Sequence, residues 1–361
     1  MSEGPPARDE RPPIELTLEQ AFAEVTRRLR PIDGAQRIAA RGAAGRILAD
    51  EVVSRLDLPG FDNSAMDGYA LRACDARDGR VELRVIGQAL AGHSFGGEVG
   101  PGECVRTMTG APMPGGADAV VPLEEVDAAT GSTIVLSGPV APGAHRRLRG
   151  EHVRAGDAVL HRGRRLRGCD IGLAFGVGAD RLTVFRPLRV GVLSTGDELA
   201  DPPAPLPKGG GYDANRPFLL TSLERHKMTA FDLSICPDDG GAFARAVERA
   251  FELDLDILLT TGGAAQGDAD VVRRFGGVEF LWLNFRPGRG VAVAELRHAA
   301  RSLPLIGLPG NAVAAYVMFH LLAMPSLLHL AGARAQPAPH VELPLACDLG
   351  SPPDRIDYRR A

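Results

Sequence analysis

Cysteine and lysine are scarce in this chain of 361 residues. The five cysteines lie far apart, with no CxxC pair and no histidine pair at ligand spacing. This argues against a zinc module or a disulfide framework and for a reducing, cytoplasmic compartment. Only two of the 41 basic residues are lysine, so an anion site must use the forked guanidinium groups of arginine. The net charge of −4 argues against wholesale binding of nucleic acid.

Long apolar runs and two nucleotide-binding signatures are also absent. We find no apolar run of the roughly 18 residues that a transmembrane helix needs, so we expect no membrane association. Residues 1–13 are polar and proline-rich, without the apolar core of a signal peptide, and we expect a disordered tail. The chain has no GxxxxGK[ST] sequence and no dinucleotide fingerprint after its first long strand, which excludes a P-loop and disfavours NAD.

Strand and helix patterns predict an α/β protein of several domains, and the length suggests two or three. From about 81 to 140, short β-prone runs alternate with turns, which predicts a β domain. After 188, apolar strands alternate with helices, the pattern of a doubly wound, mostly parallel sheet. The predicted strands of that sheet are 188–195, 230–235, 256–260 and 303–308. The predicted helices are 16–29, 45–53, 171–178, 217–226, 241–253, a short one from about 268 and a long one ending at 330.

Three polar, glycine-containing loops are expected at one edge of this sheet, because ligands of open parallel sheets bind at the carboxyl ends of the strands. They span residues 194–198, 260–270 and 308–311. Loop glycines usually form turns only, but three such loops together predict an anionic ligand held by backbone N–H groups. Nearby carboxylates could hold a divalent cation or accept from the N–H groups of a heterocycle. These are Glu198, Asp238, Asp239, Asp268 and Asp270.

Three polar segments in or near the predicted β region are further candidates, and two of them allow two interpretations. Residues 61–70 are either a ligand-binding loop or an Asx-rich turn that packs Met66 and Tyr69. Residues 107–116 offer hydroxyls and backbone donors. The basic residues of 146–149 form either a solvated face or an anion-attracting rim.

Seven segments, in this order along the chain, resemble the molybdopterin molybdenumtransferases of the MoeA/gephyrin family. The first two segments are the most specific for that family. The segments are PGFDNSAMDGYAL (59–71), RTMTGAPMPGGADAVVPLEE (106–125), RLRGEHVRAGDAVL (147–160), LRVGVLSTGDEL (188–199), YDANR (212–216), TTGGAAQGDAD (260–270) and GLPGNAV (307–313).

The resemblance implies an α/β multidomain fold and a homodimer. A molybdopterin-binding domain with a doubly wound, mostly parallel sheet would span 187–331, and an inserted β domain would span 56–143. A discontinuous stalk of helical and extended segments would comprise 14–55 and 144–186, and 332–361 would be a linker and the remnant of a C-terminal β domain. Each active cleft would lie between the α/β domain of one subunit and the β domain of the other.

The resemblance also implies a function in molybdenum cofactor biosynthesis: insertion of molybdate into adenylylated molybdopterin with release of AMP. The partners would be these two substrates, a second copy of the chain, and molybdopterin adenylyltransferase or molybdoenzyme apoproteins. The metal would be Mg²⁺, bound by Asp238 and Asp270. The implied catalytic residues are Asp67, Thr109, Glu198, Asp238 and Asp270. The implied substrate-binding residues are Asp62, Asn63, Ser64, Thr195, Gly196, Asp197, Gly262, Gly263, Arg286, Arg289, Pro309, Gly310 and Asn311.

Several positions depart from the family pattern and keep a second interpretation open. Residues that carry hydroxyl, basic or proline side chains in the family are replaced here by Ala265, Trp282, Ala312 and Ala314. Residues 354–361 resemble only the start of the fourth domain that the family carries. The alternative is therefore a catalytically impaired paralogue that binds molybdopterin or serves as a scaffold for partner proteins.

Overall fold

The computed structural model describes residues 15–262, 271–274, 277–334, 341–344, 346–348, 350 and 356–358. The chain divides into two compact units. Unit 1 comprises Met1–Asp50, Arg162–Gly168 and Arg181–Ala361, and unit 2 comprises Glu51–His161 and Cys169–Asp180. The expected tail at 1–13 lies outside the described residues, and the domain boundaries given above remain a prediction.

The described residues form 23 short and long strands. They are β1 (Glu15–Leu16), β2 (Ala35–Ala39), β3 (Val52–Val53), β4 (Asn63–Ser64), β5 (Gly68–Leu71), β6 (Arg80–Ala89), β7 (Glu103–Thr107), β8 (Ala119–Pro122), β9 (Ala128–Ala129), β10 (Thr133–Ser137), β11 (Arg146–Arg147), β12 (Ala158–Leu160), β13 (Arg181–Phe185), β14 (Arg189–Thr195), β15 (Leu199–Ala200), β16 (Gly211–Tyr212), β17 (Thr229–Cys236), β18 (Ile257–Thr261), β19 (Val278–Leu283), β20 (Phe285–Arg286), β21 (Gly290–His298), β22 (Arg301–Leu308) and β23 (Ile356–Asp357).

The helices begin where side chains satisfy their first N–H groups. Thr17 and Gln20 form a capping box at the start of α1, and the Asp239 carboxylate accepts from Ala242 N at the start of α4. The α-helices are α1 (Leu18–Thr26), α2 (Gly168–Gly176), α3 (Asn215–Arg225), α4 (Gly240–Glu252), α5 (Val271–Arg274), α6 (Ala312–Met318) and α7 (Met324–Leu330). The segment Phe319–Ala323 is a π-helix that joins α6 to α7.

A seven-stranded sheet with the order β1-β19-β21-β22-β18-β14-β17 forms the centre of unit 1. Four of its neighbouring pairs are parallel, and the pairs β19/β21 and β21/β22 are antiparallel. Both faces are buried: Val190 and Val192 of β14 pack into one apolar core and Leu193 into a second. Residues of α1, α3, α6 and α7 complete the first core, and residues of α4 and α5 complete the second. The predicted doubly wound, mostly parallel sheet is confirmed.

The predicted helix at 45–53 is wrong. The backbone N–H of Leu48 donates to Arg164 O over 2.9 Å, and that of Ala49 donates to Thr183 O over 2.9 Å. These residues therefore pair with distant chain segments and make turns and bridges, ending in β3. The apolar spacing reflects burial in those pairings, and tertiary contacts override the local helical pattern.

The antiparallel strands β19 and β21 are an addition that the sequence patterns did not predict. They follow the short helix α5 and join β22 to the edge strand β1. The sheet of unit 1 is therefore mixed at one side and parallel at the other.

The structure contains a helix with the length and hydropathy of a membrane span, contrary to the expectation from the sequence. Residues Ala312–Leu330 form a 19-residue helix with a mean hydropathy of 1.6, which is long and apolar enough by length and composition alone. Within unit 1, Met318, Phe319, Leu322 and Leu327 of this helix are fully buried in the first core. Of the most apolar part of this helix, 56% is buried, as is typical of a core helix in a globular unit.

Unit 2 is β-rich, as predicted. Its main sheet has the order β8-β5-β7-β6-β10-β9, in which only the pair β6/β7 is parallel. Alternate side chains such as Leu71, Leu83 and Ile134 fill its core, the pattern of a sheet with one buried face. The pairs β4/β11 and β3/β12 form separate two-stranded ladders in the same unit.

Candidate functional site

The carboxyl ends of four strands of unit 1 meet at one edge of its sheet. Strands β17, β14, β18 and β22 are parallel neighbours, so the loops that follow them start side by side. Thr195 is aligned with Cys236, and Thr261 is aligned with Leu308. The backbone N–H of Gly196 donates to Cys236 O over 3.1 Å. The structure thus brings together the loops at 194–198 and 309–311 and the first residues of the loop at 260–270.

A cleft of about 440 Å³ opens at this edge. Its lining includes Thr195, Glu198, Tyr212, Asn215, Gly262 and Gly310. The strand ends approach so closely that a Cβ atom on Gly262 would lie 2.3 Å from Thr195 O, and the φ angle of Gly262 is +87°. Glycine is therefore required at 262 by both space and backbone conformation. Thr195, Gly262 and Gly310, which the resemblance implied as substrate-binding residues, all line this cleft.

The polar groups of the cleft favour a ligand that donates hydrogen bonds. Glu198 is exposed and contributes a carboxylate, whereas none of the described residues that line the cleft is basic. The Thr195 hydroxyl is buried and has no hydrogen-bond partner among the described residues. A buried polar group without a partner costs stability, so this hydroxyl is a candidate ligand contact. The cleft suits the N–H groups of a heterocycle better than it suits a phosphate.

The predicted carboxylates beside the cleft form only part of a cation site. The backbone N–H of Asp238 donates to Asp197 Oδ1 over 3.0 Å, so these two residues are adjacent, while the Asp239 carboxylate is used as the cap of α4. No group of three or more histidine, cysteine or acidic side chains that could hold a metal occurs in the part of the chain that the structure describes. Gly263, Ala265, Asp268 and Asp270 lie outside it. The described residues alone therefore do not fit a magnesium ion.

Asn215 lines the cleft and Arg216 anchors the segment next to it, although neither was predicted as a site residue. Arg216 is only 4% exposed, and its guanidinium binds the carboxylates of Asp213, Asp232 and Asp201. Burial and these three carboxylates act on the pKa of Arg216 in opposite directions, and the net result is a raised pKa. The signal in the sequence was the segment YDANR itself, which places two buried polar residues at the start of a helix.

The remaining predicted residues of unit 1 make structural contacts. Asn311 caps α6 by accepting from Val313 N and Ala314 N, each over 3.1 Å. Arg289 forms an ion pair with Glu15, and Arg286 is exposed and accepts a backbone bond from Tyr358. Pro309 O accepts from the Thr261 hydroxyl over 3.3 Å. Their binding roles remain a prediction.

The two ligand-loop candidates of unit 2 are in direct contact. The Asp67 carboxylate accepts from Thr109 N over 2.7 Å and from the Thr109 hydroxyl over 2.8 Å. These two bonds hold the pKa of Asp67 below its ordinary value, because they stabilise the ionised form. Both residues are exposed. The structure therefore presents a carboxylate that is fixed in position and negatively charged at neutral pH.

The other predicted residues of unit 2 are less exposed than this pair. Asn63 and Ser64 are buried, and the Ser64 hydroxyl donates to Met66 O over 2.6 Å. Asp62 is bound by the guanidinium of Arg146 and by the backbone N–H of Arg149. Arg149 in turn pairs with Asp57. Two arginines of 146–149 therefore serve an ion-pair network, which neither of the two sequence-based interpretations included.

This network predicts a dependence of unit 2 stability on pH. Hydrogen bonds from Arg146 and Arg149 lower the pKa of Asp62 in the folded chain. Its stabilising contribution is therefore present above the unfolded value of about 3.9 and is lost as the pH falls through the lower folded value. We expect Asp62→Asn to destabilise unit 2 at pH 6 and to cost less at pH 3, which is below the unfolded value, measured by denaturant unfolding. The exposed carboxylate Asp127 gives the control, Asp127→Asn, and an equal cost of Asp62→Asn at both pH values would contradict the prediction.

Comparisons with known proteins cover nearly the whole chain. Residues 16–178 match the family described as the MoeA N-terminal region (domain I and II), and residues 191–329 match the probable molybdopterin binding domain. A molybdopterin molybdenumtransferase of Haemophilus influenzae is 35% identical over 350 residues, covering 96% of this chain and 85% of its own length. Molybdopterin molybdenumtransferase 2 of Mycobacterium tuberculosis is also 35% identical, with coverage of 95% and 86%.

A solved structure is similar in fold as well. The crystal structure of the molybdopterin biosynthesis moeA protein from Pyrococcus horikoshii OT3 aligns with a TM-score of 0.74 at 28% identity. The alignment covers 89% of this chain and 80% of that one. The ordered motifs, the mixed sheet with its cleft and these relatives agree with one another, and the chain belongs to the molybdopterin molybdenumtransferase family of MoeA proteins.

Proposed function

We propose that this chain inserts molybdate into adenylylated molybdopterin, releases AMP and so forms the molybdenum cofactor. The observation that carries the proposal is the cleft at the carboxyl edge of the unit 1 sheet. It combines an unpartnered buried hydroxyl of Thr195, the exposed carboxylate of Glu198 and the tight backbone at Gly262. The relatives named for this reaction have 85% and 86% of their length aligned with this chain.

The reaction joins two anions, so the protein must fix their geometry and offset their repulsion. Water cleaves the phosphoanhydride bond: its oxygen stays on the molybdopterin phosphate, its protons go to the two phosphate products or to solvent, and AMP leaves. The two thiols of the dithiolene bind molybdenum through sulfur and displace one oxygen of molybdate, which leaves as one water with the two thiol protons. Asp67 is held ionised by Thr109, which suits a carboxylate that accepts a hydrogen bond or binds a cation and does not suit a general acid. Glu198 faces the heterocycle in this proposal.

The finer parts of the proposal come from the resemblance. We propose Mg²⁺ as the divalent cation, because carboxylate oxygens such as those of Asp238 suit it; Asp270 would contribute a second carboxylate. When bound, the cation would offset charge on phosphate oxygens. Loss of turnover in a chelator and recovery with Mg²⁺ tests this assignment.

We further propose a cytoplasmic homodimer that exchanges substrate and product with molybdopterin adenylyltransferase and molybdoenzyme apoproteins. The homodimer follows from the expected sharing of each cleft between subunits. Light scattering on the purified chain measures the mass in solution, and a monomeric mass at the concentration used for turnover would overturn this part.

The central test is turnover of adenylylated molybdopterin by the wild-type chain and by Asp67→Asn. An asparagine oxygen can still accept from Thr109 N and its hydroxyl, so we expect the folded state to persist. Because the charge is lost, AMP release should fall by roughly a hundredfold or more. The same loss is expected for Asp270→Asn. Asp127→Asn is the matched control in unit 2 and should keep wild-type turnover.

Near-normal turnover in Asp67→Asn would remove that residue from the proposed machinery. A folded wild-type chain that binds molybdopterin and releases no AMP in the presence of molybdate and Mg²⁺ would instead favour the paralogue that binds or scaffolds without catalysis.

A further inference from the structure

The side chain of Asn215 contacts two other parts of the unit 1 cleft. Its amide nitrogen donates to the Thr261 hydroxyl at the end of β18 over 2.7 Å. The same nitrogen donates to Gly310 O, in the loop before α6, over 2.8 Å. Asn215 is itself the first residue of α3. The side chain therefore ties a strand end and two helix starts together.

The orientation of this amide is fixed by chemistry. A carbonyl oxygen can only accept a hydrogen bond, so the group that faces Gly310 O must be the NH₂ group. The carbonyl oxygen Oδ1 consequently lies at the opposite end of the amide group from these two contacts. No hydrogen bond to Oδ1 is formed by the described residues, although Asn215 lines the cleft. The arrangement leaves one acceptor, held rigidly, for a molecule in the cleft.

The backbone beneath the side chain is equally constrained. Asp213 Oδ1 accepts from Asn215 N and from Arg216 N, each over 3.1 Å. Arg216 Nε donates back to Asp213 Oδ2 over 3.0 Å. A group whose rotamer and backbone are both fixed before the ligand arrives loses little freedom on binding.

We propose that Asn215 Oδ1 accepts a hydrogen bond from an N–H group of the substrate's heterocycle and so determines which ring the cleft takes. This inference rests on the proposed function. The nearby acceptor Glu198 and the absence of a basic side chain among the described lining residues both match a ring edge rich in N–H groups. Adenylylated molybdopterin carries two such rings, the pterin and the adenine.

The test measures binding of two separate probes, molybdopterin without the adenylyl group and AMP, by titration calorimetry. Asn215→Ala removes the acceptor, and we expect the affinity for one of the two probes to fall by about tenfold, the size of one lost hydrogen bond to a bound ligand. The probe that loses affinity identifies the ring. In turnover assays the KM for adenylylated molybdopterin should rise more than kcat falls.

Thr261→Val is the matched control. It removes one of the two partners of the Asn215 amide and leaves the proposed acceptor in place. Because Thr261 itself lines the cleft, some loss of probe affinity is expected, but a clearly smaller one than in Asn215→Ala. Equal losses in Asn215→Ala and Thr261→Val would show a purely structural tie and overturn the inference. Unchanged affinity for both probes in Asn215→Ala would overturn it as well.

A replacement variant and a comparison of binding with turnover complete the test. If Asn215→Ala does not fold, Asn215→Ser, whose side chain is too short to span the same distances, takes its place with the same expected loss. Wild-type chain that binds a probe in an Asn215-dependent way but releases no AMP would defeat the proposed function and leave this inference standing. Turnover that persists in Asn215→Ala with an unchanged KM would overturn this inference and leave the proposed function standing.

Discussion

Arg216→Met is expected to destabilise unit 1 by about 3–5 kcal/mol, the usual cost of breaking a buried ion pair by removing one partner. The guanidinium is the shared partner of Asp201, Asp213 and Asp232. Asp213 has a side chain that is only 2% exposed, and without Arg216 its charge would be buried and uncompensated. The two other carboxylates would then repel it and each other.

Denaturant unfolding followed by circular dichroism measures this loss. Arg249→Met is the matched control, since Arg249 lies on the exposed face of α4 and pairs only with the exposed Glu252. Exposed pairs of this kind contribute little, so the control should unfold close to wild type. If Arg216→Met lowered the free energy of unfolding no more than Arg249→Met, the ion pairs of Arg216 would not be what stabilises the 213–216 segment.

Gly262→Ala is expected to lower turnover by roughly a hundredfold, because the new methyl group would meet the backbone of the neighbouring strand. Its Cβ would lie 2.3 Å from Thr195 O, and a backbone atom of a central strand cannot move aside as a side-chain end can. The strained φ angle alone costs about 1–3 kcal/mol. Relief of the clash must displace the loop after β18, and a shift of about 1 Å at a reacting group lowers the rate by roughly a hundredfold.

Gly209→Ala separates the effect of the strained φ angle from the effect of the steric clash. Gly209 also has a positive φ, +78°, but a Cβ there would meet no heavy atom within 4 Å. It should therefore lose some stability from backbone strain and keep its turnover. Turnover measured with adenylylated molybdopterin should thus differ sharply between the two glycine variants, and equal activity would show that the close approach at Gly262 is not needed.

The fold was predictable from the sequence wherever periodicity was long and local. Strands β14, β18 and β22 and helices α3 and α4 match the predicted segments within a few residues, because buried strands and amphipathic helices leave strong patterns. The predicted helix at 45–53 was wrong because the hydrogen-bond partners of this region, such as Thr183, are far away in the chain. The antiparallel strands β19 and β21 were also not predicted, although a turn signal, Pro287-Gly288, lies between them.

The candidate site could be predicted in its positions but not in its bonding. The sequence indicated which loops reach the sheet edge, and it placed Thr195, Gly262 and Gly310 there. It could not show that Asp62 is engaged by Arg146, 84 residues away in sequence, or that Asn215 reaches both Thr261 and Gly310. Such partnerships depend on tertiary geometry, and no local pattern of residue types encodes them.

The pairing of β1 with β19 sets an order of events during synthesis of the chain. Glu15 is aligned with Trp282, and Leu16 with Leu283, so β1 can pair only after β19, much later in the chain, has been made. Residues 51–161, by contrast, make most of unit 2 as a continuous stretch and can complete its sheet while unit 1 is still unfinished. Because contacts between distant residues form slowly, we expect the β1 edge of the unit 1 sheet to close late. Until then the edge of β19 would be open to pairing with another newly made copy.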